Sequence, residues 1–255
     1  MKDWALILGA SSGIGAECAK RLAKNGINIY GLYLRKRKAE IEALQSELSK
    51  YNVKIIYKKA NASNEESRKE IIQELKAQGE IRIKIFIHSI AFGTLKNMIG
   101  DKEKSLDKKN IEMTLDTMCN NIIYWSQDLY NNGLLTKGSH IIAMTSSGGR
   151  KNWNSYGAVS LAKAGIESVC RQLSLELAQH GVAVNAIQAG VTETAALQKI
   201  PGHQKMIENA INNNPHKRLT QPSDIADFIE ILLSYESSWM TGNIIRIDGG
   251  EDITG

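Results

Sequence analysis

Short apolar runs alternate with longer amphipathic stretches along most of this 255-residue chain. Continuous runs rich in β-branched residues are typical of strands buried on both faces of a parallel sheet, whereas apolar residues at helical spacing predict the covering helices. The predicted strands are residues 4–8, 27–34, 53–58, 83–89, 139–145, 182–187 and 243–247. The predicted helices are residues 15–25, 38–50, 64–78, 107–134 and 155–179.

This alternation predicts an α/β fold in which helices cover both faces of a parallel sheet of about seven strands. The chain has no internal repeat, low-complexity segment or shift in composition. Residues 1–255 are therefore predicted to form a single doubly wound domain of the Rossmann type.

Two local signals refine this picture. Ser63 stands three positions before Glu66, and that spacing predicts a capping box at the start of the third helix. All three prolines follow residue 200, so residues 199–223 form the one long irregular candidate. A substrate loop is predicted within residues 192–222, because long loops in compact domains are often functional.

A glycine-rich turn joins the first predicted strand to the first predicted helix. Gly9, Gly13 and Gly15 let the backbone turn tightly and approach a pyrophosphate, which the N–H groups of the helix N-terminus can bind. The other turn residues predicted to contact the cofactor are Ser11, Ser12 and Ile14. The alternative is a glycine turn without a ligand.

The end of the second strand indicates which dinucleotide is bound. An acidic residue there would bind the adenosine ribose of NAD, but the chain has Arg35, Lys36, Arg37 and Lys38 instead. A guanidinium beside the ribose would stabilise the 2′-phosphate of NADP, so NADPH is favoured over NADH. The alternative is a solvated basic helix start. Asn61, after the third strand, is predicted to contact adenine or simply to form a turn.

Composition and charge exclude several classes of protein. Hydrophobic residues make up 42% and charged residues 23% of the chain, and no apolar run approaches the roughly 20 residues that span a bilayer. The N-terminal apolar stretch leads directly into the glycine turn, so a cytoplasmic protein without a cleaved signal is expected. The net charge of +5 is spread among acidic residues, which argues against nucleic-acid binding.

The three cysteines, Cys18, Cys119 and Cys170, are far apart and form no CxxC pair. This pattern fits a reducing compartment, and no metal site is predicted.

The order of motifs along the chain resembles that of the short-chain dehydrogenase/reductase superfamily over essentially the whole length. These motifs are the glycine turn, the fourth-strand end, Ser146, Tyr156 with Lys163, "VNAIQAGVTET" and "IDGG". Within the superfamily the chain is most similar to enoyl-acyl-carrier-protein reductases, because "HSIAFG" (88–93) replaces an Asn-Asn-Ala-Gly stretch and Tyr-x6-Lys replaces Tyr-x3-Lys. The glycine spacing and the basic strand end look more like the NADPH-dependent Bacillus-type form.

The wide Tyr–Lys spacing has a physical interpretation. On a helix, residues four and seven positions before Lys163 share its face, but Tyr156 lies about 4.5 Å further toward the N-terminus than Val159 does. In conjugate reduction the hydride goes to the β-carbon while charge collects on the thioester oxygen, two carbons away. Tyr156 is therefore predicted to bind that oxygen and Lys163 to hold the nicotinamide ribose. Val159, in the standard tyrosine position, argues against a ketone reductase.

The resemblance implies roles for further residues. Ser146 matches the superfamily's catalytic serine, although it is equally read as a strand end. The backbone of Val191 and Thr194 would contact the nicotinamide carboxamide, with helix capping as the alternative for Thr194. Asn121 or Asn120 falls near the superfamily's helix asparagine. Residues beside the cofactor at the fourth-strand end are Ser89, Ile90 and Ala91, with His88 as a structural histidine.

The resemblance also guides the expected substrate and assembly. Phe92, Trp153 and Leu197 are candidates for an acyl groove, with ordinary core positions as the alternative. An acyl thioester substrate is expected, with acyl-carrier protein and coenzyme A both open as carriers, and the resemblance implies a homotetramer. The alternatives to an enoyl reductase are another short-chain reductase or dehydrogenase acting on a ketone, alcohol or specialised enone, and a non-catalytic dinucleotide-binding protein.

Overall fold

The computed structural model describes residues 1–254 and contains, within them, one sheet of seven parallel strands. The strands are β1 (Lys2–Leu8), β2 (Asn28–Tyr33), β3 (Ile55–Lys59), β4 (Ile81–His88), β5 (His140–Ser146), β6 (Ala183–Ala189) and β7 (Ile244–Ile247). Their order is β3-β2-β1-β4-β5-β6-β7. The predicted α/β class and the doubly wound parallel sheet are confirmed, and each predicted strand is present.

Helices cover both faces of the sheet. They are α1 (Gly13–Lys24), α2 (Lys38–Ser49), α3 (Glu65–Lys76), α4 (Lys108–Leu115), α5 (Asn121–Asn131), α6 (Gly157–Leu177), α7 (His203–Asn213) and α8 (Pro222–Ser234). A π-helical turn, Asp116–Asn120, joins α4 to α5. The predicted helix 107–134 therefore contains two α-helices and the wider turn between them.

Two helices, α7 and α8, were not predicted, and they correct the expectation of a long irregular segment. The segment 199–223 was expected to be irregular, but α7 occupies its centre and α8 begins at its end. Pro222 stands in the first turn of α8, where proline has no N–H bond to lose and its fixed φ suits a helix. Proline therefore starts a helix here.

The cap of α3 also differs from the prediction. Asn64, not Ser63, is the N-cap, and its side-chain Oδ1 accepts a hydrogen bond of 2.8 Å from the Ser67 N–H. An asparagine satisfies a free first-turn N–H as well as a serine does. Ser63 instead accepts a long hydrogen bond of 3.4 Å from the Asn121 side chain, so it links α3 to α5.

Two apolar layers hold the sheet between the helices. Trp4, Leu6 and Leu8 of β1 face the layer that contains α3, α5 and α6, whereas Ala5 and Ile7 face the layer that contains α1 and α8. This alternation follows from the two-residue period of a strand. Because all strands are parallel, their carboxyl ends meet at one edge of the sheet, where an α/β fold binds its ligands.

The described residues include no helix whose length and apolar character would let it cross a membrane. Nor do residues 1–254 bring three or more His, Cys, Asp or Glu side chains together in a way that would hold a metal ion.

Candidate active site

The turn between β1 and α1 is packed too closely for side chains. Gly9 has a φ of +86°, and a Cβ there would lie 2.3 Å from the Ser89 carbonyl oxygen. A Cβ on Gly15 would lie 2.3 Å from the Gly9 carbonyl oxygen. Ser12 precedes α1 in an extended conformation and its side chain makes no capping bond. The first-turn N–H groups of α1 are thus not capped by Ser12, as an anion-binding helix N-terminus requires.

We expect Gly9→Ala to destabilise the fold more than Gly26→Ala, which serves as a matched control. Gly26 has a similar φ of +81°, but a Cβ there meets nothing within 4 Å. The left-handed conformation costs each variant about 1–2 kcal/mol, and the backbone clash at residue 9 adds about 1–3 kcal/mol. Urea unfolding measures both free energies. Equal losses in the two variants would contradict the close packing of this turn.

At the end of β2 the two predicted cofactor cations are in different environments. The Arg35 guanidinium stacks over the Phe92 ring at 3.9 Å from the ring centroid. Lys36 Nζ donates a 2.7 Å hydrogen bond to Glu40, and this contact lowers the pKa of Glu40. Arg35 forms no ion pair within residues 1–254. Of these two cations, Arg35 is therefore the one without an ion-pair partner among the described residues.

The same contact places Phe92 differently from the prediction. Phe92 was expected in an acyl groove with Trp153 and Leu197, but its ring lies against Arg35 at the β2 end of the cleft. A flat guanidinium stacks well on an aromatic face. Phe92 thus contacts a residue of the predicted adenosine end, while its place in an acyl groove stays a prediction.

Of the residues after β3 and β4, Ser89 borders the glycine turn, whereas Asn61 forms a local turn. Asn61 is exposed, and its Oδ1 accepts a 3.1 Å hydrogen bond from the Ser63 N–H, which is the turn-forming arrangement weighed above. Ser89 N–H donates to the Leu8 carbonyl at 3.0 Å. Ile90 is partly buried against the core and Ala91 is exposed. The β4 end therefore forms one wall of the cleft.

His88 is a buried structural histidine. Its Nε2 lies 2.7 Å from Asn121 Oδ1, and burial, followed by the charge of Lys163, lowers the pKa of His88 to about 4. A neutral ring at physiological pH follows, with the proton on Nε2. The structure also separates the two candidate asparagines, because Asn121 is fully buried against His88 while Asn120 ends the π-helical turn.

Tyr156 stands immediately before α6, which begins at Gly157. Its carbonyl accepts a 2.8 Å hydrogen bond from the Ser160 N–H, so its backbone already takes part in the first helical turn. Burial raises the pKa of the Tyr156 phenol, and the neighbouring Ser146 hydroxyl opposes this rise through a hydrogen bond. Gly148 lies under the ring, because a Cβ there would be 2.6 Å from Tyr156 Cε1.

Lys163 is buried within α6, the helix that Tyr156 precedes. Its Nζ donates a 2.6 Å hydrogen bond to the Met144 carbonyl oxygen of β5, and burial lowers the pKa of Lys163 to about 8. Val159 is buried in a small apolar cluster with Met118, Cys119 and Ala162. The structure thus brings Ser146, Tyr156 and Lys163 to the carboxyl end of β5 and leaves Val159 among core residues.

The segment after β6 forms the opposite wall. The Val191 N–H donates to Glu251 Oε2 at 3.0 Å and its carbonyl accepts from the Thr220 N–H at 3.1 Å. Both backbone groups of Val191 are therefore engaged within the protein. Thr194 Oγ1 accepts from the Leu197 N–H at 3.2 Å, and its methyl group would lie 3.3 Å from a Cβ on Gly13. Thr194 caps the next turn and also touches the glycine turn.

The segment 192–222, where a substrate loop is predicted, contains a helix and is closed at its base. Thr192 and Thr220 form an isolated parallel bridge that closes its base, and α7 lies between them. Trp153 Nε1 donates a 2.9 Å hydrogen bond to the Pro201 carbonyl, and Leu197 is buried. Trp153 thus contacts the segment 192–222, and Leu197 belongs to it. Trp153 also accepts a hydrogen bond from the Tyr156 N–H, so this segment lies near Tyr156.

Sequence reasoning missed the loop between β4 and α4. Met98 packs on Gly157, where a Cβ would lie 2.6 Å from the Met98 methyl carbon, and Ser155 Oγ donates to Asn97 Oδ1 at 2.8 Å. The loop therefore lies against the start of α6. The available signal was its length, since connections in compact α/β units are usually much shorter.

The chain resembles known proteins along nearly its whole length. A family model described as enoyl-(acyl carrier protein) reductase matches residues 9–251. The chain is 27% identical over 237 residues to the enoyl-acyl-carrier-protein reductase (NADH) FabI of Nostoc sp., covering 93% of this chain and 90% of that protein. It is 26% identical over 248 residues to the 3-oxoacyl-acyl-carrier-protein reductase FabG of Thermotoga maritima, covering 96% of each.

Solved structures show the same fold. The enoyl-acyl-carrier-protein reductase (NADH) of Aquifex aeolicus has a TM-score of 0.84 at 24% identity, with 100% of this chain and 97% of that chain covered. FabI of Candidatus Liberibacter asiaticus has a TM-score of 0.86 at 24% identity, with 100% and 96% covered.

Proposed function

Because the chain belongs to the enoyl-(acyl carrier protein) reductase family within the short-chain dehydrogenases/reductases, we propose that it reduces the 2,3 double bond of enoyl thioesters with NADPH. The reaction would serve fatty-acid or related acyl-chain synthesis. The single observation that supports this most directly is the placement of Tyr156, the N-cap of α6, beside Ser146, with Lys163 buried inside that helix and Val159 packed in the core.

The glycine turn fits a dinucleotide. The space that a Cβ would fill at Gly9 and Gly15 is occupied by backbone, so the turn packs tightly while the N-terminus of α1 faces the cleft with its positive dipole end. When bound, the reduced nicotinamide supplies the hydride. Gly9, Gly13, Gly15 and the β4 end would hold the dinucleotide, with its pyrophosphate at the glycine turn, as in other folds of this class.

Tyr156 would donate its phenolic proton to a hydrogen bond with the thioester oxygen. Burial raises the pKa of the phenol, so the group stays protonated at neutral pH and remains a donor. A donor aimed at an oxygen that gains charge in the transition state accelerates the reaction. Ser146, whose hydroxyl lies beside the phenol, would help to orient it.

Lys163 would hold the nicotinamide ribose. An ammonium group has three donors, and the bond from Nζ to the Met144 carbonyl uses one of them. That bond fixes the ammonium at the carboxyl end of β5, where the remaining donors are available for the ribose hydroxyls. The contact requires a charged Lys163, which a pKa of about 8 provides at neutral pH.

For cofactor choice we propose NADPH, in contrast to the NADH in the name of the Nostoc relative. The unpaired Arg35 supports this, and Arg35→Asp with Lys36→Ala should shift the ratio of dissociation constants from NADPH toward NADH about ten- to hundred-fold. This range follows from the loss of about 1.5–3 kcal/mol in charge-assisted hydrogen bonds. Fluorescence titration with each cofactor measures the ratio.

Lys36→Ala alone is the matched control for that experiment. Lys36 is already bonded to Glu40, so its removal should change the cofactor ratio much less than the double substitution. An unchanged ratio in the double variant would remove the argument for NADPH.

The reaction is tested by following oxidation of NADPH and NADH with crotonyl and longer 2-enoyl thioesters, beside acetoacetyl thioester. We expect turnover of the enoyl substrates only. Turnover of acetoacetyl thioester alone would instead support the ketone reduction named for the Thermotoga relative. Cofactor binding without turnover of either thioester would favour a binding role. Comparing coenzyme A and acyl-carrier-protein thioesters identifies the carrier.

We also propose that the protein is a homotetramer. The family resemblance implies this assembly, and large apolar side chains are exposed on two surfaces that would be covered in it. Leu161 and Leu175 lie on α6, and Ile231, Trp239 and Ile244 lie on or near α8 and β7. Trp239 is 91% exposed, an unusual state for a tryptophan in a monomer. Sedimentation velocity measures the state directly.

A further inference from the structure

A tight turn follows β7 and returns toward the active site. Asp248 is buried, and its two carboxylate oxygens accept hydrogen bonds from the N–H groups of Gly250 at 2.9 Å and Asp252 at 3.2 Å. The Asp248 carbonyl accepts a 2.8 Å bond from the Asn214 side chain. Residues 248–254, called here the C-terminal turn, are therefore held by their own backbone and by the end of α7.

The Asp252 carboxylate is the most densely paired acid in this turn. Its side chain is only 2% exposed. It lies 2.9 Å from Lys151 Nζ and 3.4 Å from Arg246 Nε, forms an ion pair with Arg150, and accepts a 3.0 Å hydrogen bond from the Gln188 side chain. A buried carboxylate needs such partners, because an unpaired buried charge is strongly destabilising.

Two of these partners belong to the segment that supports Tyr156. The N–H groups of Arg150 and Lys151 donate to the Ser147 carbonyl at 3.0 and 2.8 Å, which closes the turn after β5. Within that turn, Gly148 lies under the Tyr156 ring, and a Cβ on Gly149 would lie 3.4 Å from the Lys163 carbonyl carbon. The turn 147–151 is thus packed between Asp252 and the catalytic pair.

The neighbouring Glu251 contacts the other wall of the site. Its carboxylate accepts the Val191 N–H bond, and burial raises the pKa of Glu251. A Cβ on Gly190 would lie 2.8 Å from Glu251 Oε2. Adjacent residues of one turn therefore touch the β5–α6 wall and the β6 wall.

We infer that Asp252 is a positioning residue for the active site: its ion pairs with Arg150 and Lys151 hold the 147–151 turn so that Tyr156 keeps its orientation beside Ser146. This role rests on the proposed function, since Tyr156 is assigned there. A misplacement of about 1 Å at a reacting group costs on the order of a hundred-fold in rate, so a distant ion pair is sufficient to control turnover.

The test compares Asp252→Asn with Arg150→Gln/Lys151→Gln in the full chain. The first substitution keeps the shape of the side chain and removes its charge, and the second removes the cations, whose side chains are 46% and 52% exposed. We expect either change to raise hydrogen exchange of residues 147–156 about ten-fold and to lower kcat for enoyl thioester about ten-fold. The cofactor dissociation constant should stay within about two-fold.

Combining all three substitutions should add little to either effect, because both variants break the same contact. Asp101→Asn is the matched control, since the Asp101 side chain is 79% exposed and pairs with Lys104 at the surface. If Asp252→Asn fails to fold, the Arg150→Gln/Lys151→Gln variant alone decides whether these ion pairs hold the 147–151 turn.

Unchanged exchange in 147–156, or an equal rise of exchange throughout the chain, would overturn the inference. The exchange measurement needs no turnover. If the parent protein reduces no enoyl thioester, the proposed function fails while the exchange result still decides whether Asp252 holds this turn.

Discussion

Tyr156→Phe is expected to lower the turnover of enoyl thioesters by about a hundred- to a thousand-fold, the cost of removing one hydrogen-bond donor from a developing oxyanion. The ring is partly buried and packs on Gly148, and phenylalanine keeps that packing, so the fold and the cofactor dissociation constant should change little. Steady-state turnover and cofactor titration on the same preparation separate the two effects.

Tyr130→Phe is the matched control for this prediction. Tyr130 lies on α5, is 39% exposed and contacts His180, so loss of its hydroxyl should leave turnover unchanged. A fully active Tyr156→Phe enzyme would mean that the wide Tyr–Lys spacing has no catalytic meaning and that another group stabilises the thioester oxygen.

Lys163→Met is expected to lower turnover about ten- to hundred-fold, through the loss of charge-assisted hydrogen bonds worth about 1.5–3 kcal/mol. It should also change how stability depends on pH. Burial lowers the pKa of Lys163 from 10.5 to about 8. Below pH 8 the group is protonated in both states, and the folded state bears the cost of burying the charge.

Between pH 8 and 10.5 the unfolded chain binds more protons at Lys163 than the folded protein does, so this residue makes stability rise with pH. Across that pH window Lys163 raises the free energy of unfolding by about 3 kcal/mol in total. Urea unfolding near pH 7 and near pH 10 should therefore show the parent gaining stability relative to Lys163→Met as pH rises. The exposed Lys109 on α4 supplies the control, because Lys109→Met should produce no such difference. If the difference in free energy of unfolding between the parent and Lys163→Met were the same at both pH values, burial would not lower the pKa of Lys163.

The strands were predictable because each is a local signal. A run such as residues 83–89 is apolar enough to be buried on both faces, and β4 is found there with only a small shift of its ends. The helices that were missed have weaker or misleading signals. Only Ala210 of α7 is buried, and the proline at the start of α8 was read as part of a loop.

The π-helical turn illustrates what a periodic pattern does not contain. Distant contacts favour one extra residue in the turn before Asn121. Asn121 bonds to His88 of β4. Cys119 Sγ packs closely on Gly165 of α6, because a Cβ on that glycine would lie only 2.7 Å from the sulfur. Neither partner is near in the chain, so only the packing shows that Asn121, and not Asn120, is the residue that contacts His88.

By itself, then, the amino-acid sequence determined the alternation of strands and helices, the glycine turn and the association of Tyr156 and Lys163 with one helix, because each depends on residues within a few turns or one strand. The exact start of that helix, which leaves Tyr156 as its N-cap and Lys163 inside it, was decided by the structure. The tertiary structure decided that Arg35 meets Phe92, that Glu251 occupies the Val191 N–H and that Asp252 pairs with Arg150. Those contacts join residues far apart in the chain, and their geometry depends on how the strand ends converge at one edge of the sheet.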